Sequence, residues 1–221
     1  MQLGDAFRYK LLATTKSAGT AGSEVQGSIE VTVANPISDN PNADCLLLQR
    51  TANLVNQDGT STVDLSDVWY QGNDGSLFSC GVWDQTARHN PESQKPYAIY
   101  LDTDHNDELV PVAAGTLQPG QTQSGSGTFT LDSGHTVAFT CTTQVAAPIK
   151  LTVPAGEFEA FPLQTQCRYD YQELVSEEIN IRWWAPSVGI VKHDETIVET
   201  FNATTTTHTR SAALLDYSLS P

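Results

Sequence analysis

The stretch LTVPAGEFEAFPLQT, Leu151 to Thr165, decides the fold class of this chain. Two strand-like runs flank the sequence Pro154-Ala155-Gly156. Proline fixes φ and glycine permits dihedrals that other residues avoid, so these three residues predict a tight turn. The stretch is therefore predicted to be a β-hairpin. A second strand-turn-strand is predicted in IRWWAPSVGIVKHDE, Ile181 to Glu195, which carries two adjacent tryptophans.

Alternation with a period of two recurs along most of the chain. In EVQGSIEVTV, every second residue from Val25 to Val33 falls on one face, which is the pattern of a half-buried antiparallel strand. Asp58-Gly59 and Asp74-Gly75 are typical of hairpin turns. They predict three consecutive antiparallel strands over 45–56, 61–71 and 76–83, followed by a shorter one in KPYAIYLD. Further strands are predicted over 127–132, 135–145, 148–153, 157–169, 173–185, 188–201 and 205–218.

This pattern predicts an all-β fold without long helices. We expect a single domain, residues 1–221, of roughly a dozen antiparallel strands that form a curved sheet, a half-barrel or a sandwich. The segment 102–127 is rich in Pro, Gly and Ser and predicts a long loop or crossover. If that loop separates two subdomains, they are 1–101 and 128–221; we favour one domain.

Composition and charge limit the partners and the cell compartment. The chain has 26 acidic and 11 basic residues and a formal net charge of −15, which repels nucleic acid and anionic lipid surfaces. No apolar run approaches the about 20 residues that span a bilayer. A first strand begins almost at once in GDAFRYKLLATT, as expected of a chain whose signal peptide has been removed. We expect an extracytoplasmic protein that is periplasmic, secreted or lipid-anchored.

The four cysteines have no C-x-x-C spacing, which argues against a zinc ribbon or a thioredoxin-like site. Cys141 and Cys167 lie on the inward faces of two predicted strands, roughly opposite each other, so a cross-strand disulfide is predicted. The alternative is a pair of buried thiols that only pack. Cys45 and Cys80 lie on the first and third strands of the predicted meander, about 9–10 Å apart, and their pairing is left open.

Few linear motifs suggest chemistry. Asp102, Asp104 and Asn106 have the alternate spacing of the first ligands of a calcium loop, but Asp107 and Ala113 occupy positions where an EF-hand needs Gly and Glu. The segment is therefore either a calcium site of another kind or, as the simpler interpretation, an acidic loop exposed to solvent. The histidines are scattered and do not indicate a catalytic zinc; His193 is predicted to be a surface residue. No catalytic residue is assigned, and no other cofactor is expected.

The aromatic residues are the strongest candidates for a binding surface. Trp183 shares its predicted strand face with Ile179 and is expected to be core, whereas Trp184 shares the opposite face with Arg182. An aromatic residue on a polar face either packs under a loop or lines a concave cavity. The predicted ligand-binding residues are Trp184, Arg182, Trp69 and Tyr70.

The two hairpins also carry a family resemblance. VPAGEFEAF, Val153 to Phe161, and RWWAPSVGIVKHD, Arg182 to Asp194, resemble the motifs V-P-A-G-x-F-x-A and W-Y-A-x-G-V-G-x-V-K. These motifs are found in a family of uncharacterised bacterial extracytoplasmic β-proteins, among them hypothetical proteins and candidate lipoproteins with a domain of unknown function. The resemblance covers roughly the C-terminal half, with Trp184 where Tyr is usual. It implies a curved antiparallel sheet outside the cytoplasm and carries over no catalytic residue.

Three functions follow as hypotheses. The first is a non-enzymatic binding protein for a hydrophobic small molecule or a partner protein, by fold-level analogy to half-barrel lipoprotein carriers. The second is a structural or assembly component of the cell envelope that joins other subunits through exposed strand edges or through its tryptophan-bearing face. The third is a hydrolase with an acidic site, with or without calcium, which requires a pocket that joins carboxylates of raised pKa.

Overall fold

The computed structural model describes the backbone of residues 4–34, 45–73, 76–89, 96–101, 110–113, 118–131, 136–186 and 188–220. Side chains are described over 4–33, 51–61, 118–128, 136–186 and 188–220. Within these ranges the chain forms strands and no helix, so the all-β prediction is confirmed. No helix of the described part is long and apolar enough to cross a membrane.

The strands in chain order are β1 (Ala6–Ser17), β2 (Ser23–Ala34), β3 (Cys45–Asn56), β4 (Ser61–Asn73), β5 (Ser76–His89), β6 (Pro96–Leu101), β7 (Val110–Ala113), β8 (Thr122–Leu131), β9 (Thr136–Val145), β10 (Ile149–Val153), β11 (Gly156–Tyr171), β12 (Leu174–Ala185), β13 (Gly189–Phe201) and β14 (Thr204–Ser218). The predicted strands are all present, and most of their ends shift by one or two residues, but β5 extends six residues beyond its predicted end and β8 begins five residues earlier than predicted. The segment predicted to be a loop contains two features that the sequence did not indicate: strand β7 and the start of β8.

All these strands belong to one curved antiparallel sheet. Hydrogen-bonded neighbours follow the order β10-β11-β12-β13-β14-β1-β2-β3-β4-β5-β6-β8-β9, and β7 pairs with β5. The predicted meander of β3, β4 and β5 is therefore present. Strand β11 pairs with β10 through its first residues and with β9 through its later ones, on the edge opposite β12.

Among the described side chains, one face of this sheet carries most of the buried ones, and we call it the inner face. On β9 it is formed by alternate residues from Val137 to Val145, all of which are buried. Cys141 and Cys167 lie opposite each other on this face. They form the predicted disulfide, with 4.1 Å between their Cα atoms. The side chains of Cys45 and Cys80 lie outside the described residues.

The turns of the two motif hairpins contribute to one apolar cluster. Gly156 has φ of 138°, which explains the glycine after Pro154-Ala155. The Ala155 amide donates a hydrogen bond of 3.0 Å to the carbonyl of Leu214, so this turn is fixed to β14. The cluster consists of Phe7, Val33, Val153, Ala160, Ala185, Val188, Val191 and Leu214. The motif turns therefore close one part of the core.

The prediction for the two faces of β12 needs a correction. Ile179 is 46% exposed, whereas Asn180 on the opposite face is 1% exposed. Trp183 shares the face of Ile179, but at this end of β12 it is half-buried and packs against the apolar cluster, to which Ala185 of the same face belongs, as its predicted core position implies. The polar face of β12 is the inner face, because its residues lie opposite the inward Cys167, Thr165 and Leu163 of β11.

Candidate binding site on the inner face

A row of polar residues crosses the inner face at right angles to the strands. The register pairs each member directly with the next across six strands, β8, β9, β11, β12, β13 and β14. The members, in order, are Gln123, Thr143, Thr165, Asn180, Glu195 and Arg210. We call this set the polar row. An inner face is normally filled with apolar side chains, so a polar row of this length identifies the part of the fold to examine for function.

The middle of the polar row is fully buried. Thr143 and Thr165 are each 2% exposed, and their hydroxyl oxygens are 2.7 Å apart and share a hydrogen bond. Asn180 is 1% exposed. Buried polar groups lose their contacts with water and need hydrogen bonds within the protein to offset that loss of free energy. An apolar row at this place would not need such hydrogen bonds.

Asn180 connects two carboxylates. Its amide Nδ2 donates to Glu178 Oε1 at 2.5 Å and lies 3.5 Å from Glu195 Oε1, which places these two oxygens at most about 6 Å apart. On its other side, Asn180 Oδ1 pairs with His193 Nε2. The prediction of a surface histidine at this position is wrong: His193 faces inward, and Asp194 faces outward, where it accepts from Lys192 Nζ at 2.7 Å.

Two arginines balance these carboxylates. Arg210 Nη1 lies 3.2 Å from Glu195 Oε2; the Arg210 side chain is 53% exposed and that of Glu195 only 11%. The charge of Arg182 also acts on Glu178. We define the inner cluster by the residues Glu178, Asn180, Arg182, His193, Glu195 and Arg210. Because Arg210 is half exposed, the cluster reaches solvent on the β14 side.

The environment of Glu178 opposes its ionisation. Burial raises the pKa of the Glu178 carboxyl, and the charge of Glu195 raises it further. The hydrogen bond from Asn180 and the charges of Arg182 and Arg210 act in the opposite direction but are weaker. Burial likewise raises the pKa of the nearby Tyr169 hydroxyl, which therefore remains protonated.

Glu178→Gln is expected to increase stability at neutral pH. In the wild type, the Glu178 carboxyl has a higher pKa in the folded than in the unfolded state. Protonation of this carboxyl therefore stabilises the folded protein. That stability is lost as the pH rises from the ordinary value of 4.5 through the raised folded-state value. Glutamine retains an oxygen for Asn180 and carries no charge. Urea unfolding should therefore give equal free energies for both proteins at acid pH and a higher value for the variant at pH 7.

Glu177→Gln is the matched control for this experiment. Glu177 is the preceding residue, faces outward and pairs with the exposed Arg168 Nη1 at 3.0 Å, and an exposed ion pair of this kind contributes little to stability. The Glu177→Gln variant should not be more stable than the wild type at pH 7. A Glu178→Gln protein less stable than wild type at pH 7 would contradict the assignment of Glu178 as a carboxyl whose ionisation is opposed by burial.

Two of the predicted ligand-binding residues lie beside the inner cluster. Arg182 is a member of it, and Trp184 follows on the same face of β12, where it packs against Val145 and Leu163 with Phe161. Trp69 and Tyr70 are on β4, separated from β12 by five strands of the hydrogen-bonded order, and their side chains are outside the described residues. The structure thus brings together two of the four.

The other predicted site does not fall within the described part of the chain. Asp102, Asp104 and Asn106, the candidate calcium ligands, lie outside the described residues. Among the residues that the structure does describe, no group of three His, Cys, Asp or Glu side chains could hold a metal ion. A surface hollow of about 430 Å³, where β2 begins and β3 ends, is lined by Glu24, Gln26, Gly27, Val55, Asn56 and Gln57. It gathers one ionisable group, so we assign it no chemistry.

Comparison with known proteins gives only distant similarity. No protein-family model matches the sequence, and no curated protein matches it significantly. A solved structure from Bacteroides fragilis, described as a "putative exported protein with YmcC-like fold", is 11% identical with a TM-score of 0.46, over 99% of this chain and 97% of its own. A "putative lipoprotein" from Parabacteroides distasonis is 12% identical with a TM-score of 0.44, over 98% and 96%. Similarity at this level assigns neither a family nor a role to this chain.

Proposed function

We propose that this chain is a non-enzymatic binding protein that works outside the cytoplasm and binds an amphiphilic small molecule on the inner face of its sheet. The observation that carries the proposal is the inner cluster, a set of charged side chains on the face that should hold the core. A buried charge pair is often no more stabilising than apolar residues of the same volume. Charged groups on an inner face are therefore better explained by a ligand than by stability.

The ligand is expected to have both a polar and an apolar part. Asn180, Arg182 and Trp184 lie at alternate positions of β12, so the Cα atoms of Asn180 and Trp184 are about 13 Å apart. One end of this span carries the carboxylates, and the other carries Trp184 over the apolar side chains of Val145 and Leu163. A few placed polar groups beside an aromatic and aliphatic surface are typical of small-molecule sites. A purely hydrophobic ligand would leave the inner cluster unused.

Two properties support a location outside the cytoplasm. The Cys141–Cys167 disulfide is buried, with exposures of 0% and 6%, and structural disulfides persist in oxidising compartments. Only 17% of residues are charged, and the remaining polar surface is rich in threonine, serine and glutamine. The strongly acidic composition supports solubility in such a compartment.

A hydrolase is the second candidate, because one observation favours it. Glu178 has a raised pKa and lies within about 6 Å of Glu195, and two carboxyl groups with different ionisation are the arrangement that glycoside hydrolysis uses. Against it, Asn180 occupies the position between them and hydrogen-bonds both. A substrate atom would have to displace this amide, so we rank binding first.

Native mass spectrometry of the protein purified from its own host tests the proposal. We expect one bound amphiphile per chain, released by denaturing extraction. Trp184→Ala should lose it, and Trp183→Ala, the same substitution on the outer face, should retain it. An empty protein in a defined oligomer would overturn the proposal in favour of envelope assembly. Release of a cleaved molecule would overturn it in favour of the hydrolase.

A further inference from the structure

We infer that the polar part of the ligand is an uncharged group with several hydroxyls, such as a sugar, held by Glu178 and Glu195. This inference rests on the proposed binding function and adds the chemistry of the headgroup. Three independent features of the inner cluster favour it: its charge balance, its unpaired acceptors and its aromatic neighbour.

The charge balance disfavours an ionic headgroup. The cluster contains two carboxylates, Glu178 and Glu195, and two guanidiniums, Arg182 and Arg210. Arg210 already pairs with Glu195 at 3.2 Å. A cationic headgroup at Glu195 would displace Arg210, and an anionic one at Arg210 would displace Glu195. Either exchange leaves one member of this pair, in which the Glu195 side chain is only 11% exposed, without its opposite charge. A neutral group leaves the Glu195–Arg210 pair in place.

The donors and acceptors of the cluster fit hydroxyl groups. A carboxylate only accepts hydrogen bonds and a guanidinium only donates them, whereas a hydroxyl does both. One hydroxyl can therefore donate to Glu195 while it accepts from Arg210. A pair of neighbouring hydroxyls can donate to both oxygens of one carboxylate. No other uncharged group that is common in biological amphiphiles offers so many hydrogen bonds of both kinds.

Unpaired acceptors lie along the polar row. Among the described side chains, two buried oxygens accept no hydrogen bond: Gln123 Oε1, at one end of the row, and Glu195 Oε2. The second of these has only the ion pair with Arg210. A buried acceptor without a donor has lost the hydrogen bonds that it makes in water. Three strands separate Gln123 from Glu195, so only Glu195 Oε2 is within reach of a headgroup in the inner cluster. An O–H donor from such a headgroup would satisfy that oxygen.

Trp184 provides a complementary surface. It is half-buried beside Phe161 and lies on the same strand face as Arg182. The faces of sugar rings carry C–H groups, and an aromatic ring covers such a surface while the hydroxyls at the ring edge bind planar polar side chains. Solvent reaches the cluster at the half-exposed Arg210, so a headgroup can enter there.

Three surfactants with the same tail test the inference. Dodecyl maltoside carries a neutral polyhydroxylated headgroup, dodecyltrimethylammonium a cation and dodecylphosphocholine a zwitterion. Titration calorimetry below their micelle concentrations should show dodecyl maltoside binding at least about tenfold more tightly than the other two, a difference of about 1.4 kcal/mol. Glu195→Gln and Glu178→Gln should each abolish that preference, and Glu177→Gln on the outer face should keep it. Circular dichroism of each variant confirms that it is folded.

The outcomes separate this inference from the function on which it rests. Equal binding of all three surfactants, unchanged in the inner-face variants, would overturn the headgroup assignment and leave the proposed function standing. A preference for dodecyl maltoside that survives both inner-face variants would also overturn it, because the sugar would then bind elsewhere. If no surfactant binds, the proposed function itself fails.

Discussion

Gly27→Ala is expected to lower the free energy of unfolding by about 3 kcal/mol or more. Gly27 lies on the inner face of β2, opposite Leu11 of β1 and Leu54 of β3. A Cβ atom at this position would be 1.9 Å from the carbonyl oxygen of Asn53 and 3.1 Å from the Cα atom of Leu54. Both are backbone atoms of the adjacent strand, so no side-chain rotation can relieve the overlap. The two strands must separate there, and their ladder hydrogen bonds weaken.

Urea denaturation measures this effect, with Gly19→Ala as the control. Gly19 has φ of 80° in the turn between β1 and β2, and a Cβ atom there would meet nothing within 4 Å. Gly19→Ala should lower the free energy of unfolding by only about 1 kcal/mol, because alanine is disfavoured in the left-handed conformation. If Gly27→Ala costs no more than Gly19→Ala, β2 and β3 do not approach each other as closely as described.

The strands of this fold could be predicted because their signals are local. Asp58-Gly59 and the Pro154-Ala155-Gly156 turn mark hairpins that the structure contains, and a turn determines the register of the strands that it joins. Alternation then places Cys141 and Cys167 on one face, where they pair. Strand β7 has only four residues, too few for alternation to be recognised, which is why it was predicted to be part of a loop.

The inner face of β12 could not be assigned from its own sequence. Alternation divides β12 into a set with Ile179 and a set with Asn180, and hydrophobicity alone selects the first as core. The structure selects the second, because the inward Cys167 of β11 lies directly opposite Glu178. That signal was present in the sequence: an inward cysteine and a hairpin register together require Glu178 to face inward. It requires reasoning across two strands.

The inner cluster depends on still longer-range information. Glu195 and Arg210 meet because β13 pairs with β14 in one register, and β14 in turn pairs with β1 at the other end of the chain. No linear motif contains Glu178, His193 and Arg210 together. The sequence did predict that Arg182 and Trp184 share one face of β12, because an aromatic residue on a polar strand face is a local anomaly.

Replacing both cysteines of the Cys141–Cys167 disulfide with alanine is expected to lower the free energy of unfolding by about 3.5 kcal/mol, because the bond closes a loop over a separation of 26 residues. Alanine is the suitable replacement because Cys141 is 0% and Cys167 6% exposed, and serine would add buried hydroxyls. The bond joins β9 to β11 beside the Thr143–Thr165 pair, so its loss should also loosen the polar row.

Urea unfolding with and without a reducing agent isolates this contribution. Reductant should lower the free energy of unfolding of the wild type by about the same 3.5 kcal/mol, and it should leave the double alanine variant unchanged. A fall in the double variant under reductant would instead reveal a second bond between Cys45 and Cys80. A change below about 1 kcal/mol in the double variant itself would mean that the pairing of β9 with β11 holds these strands without the bond.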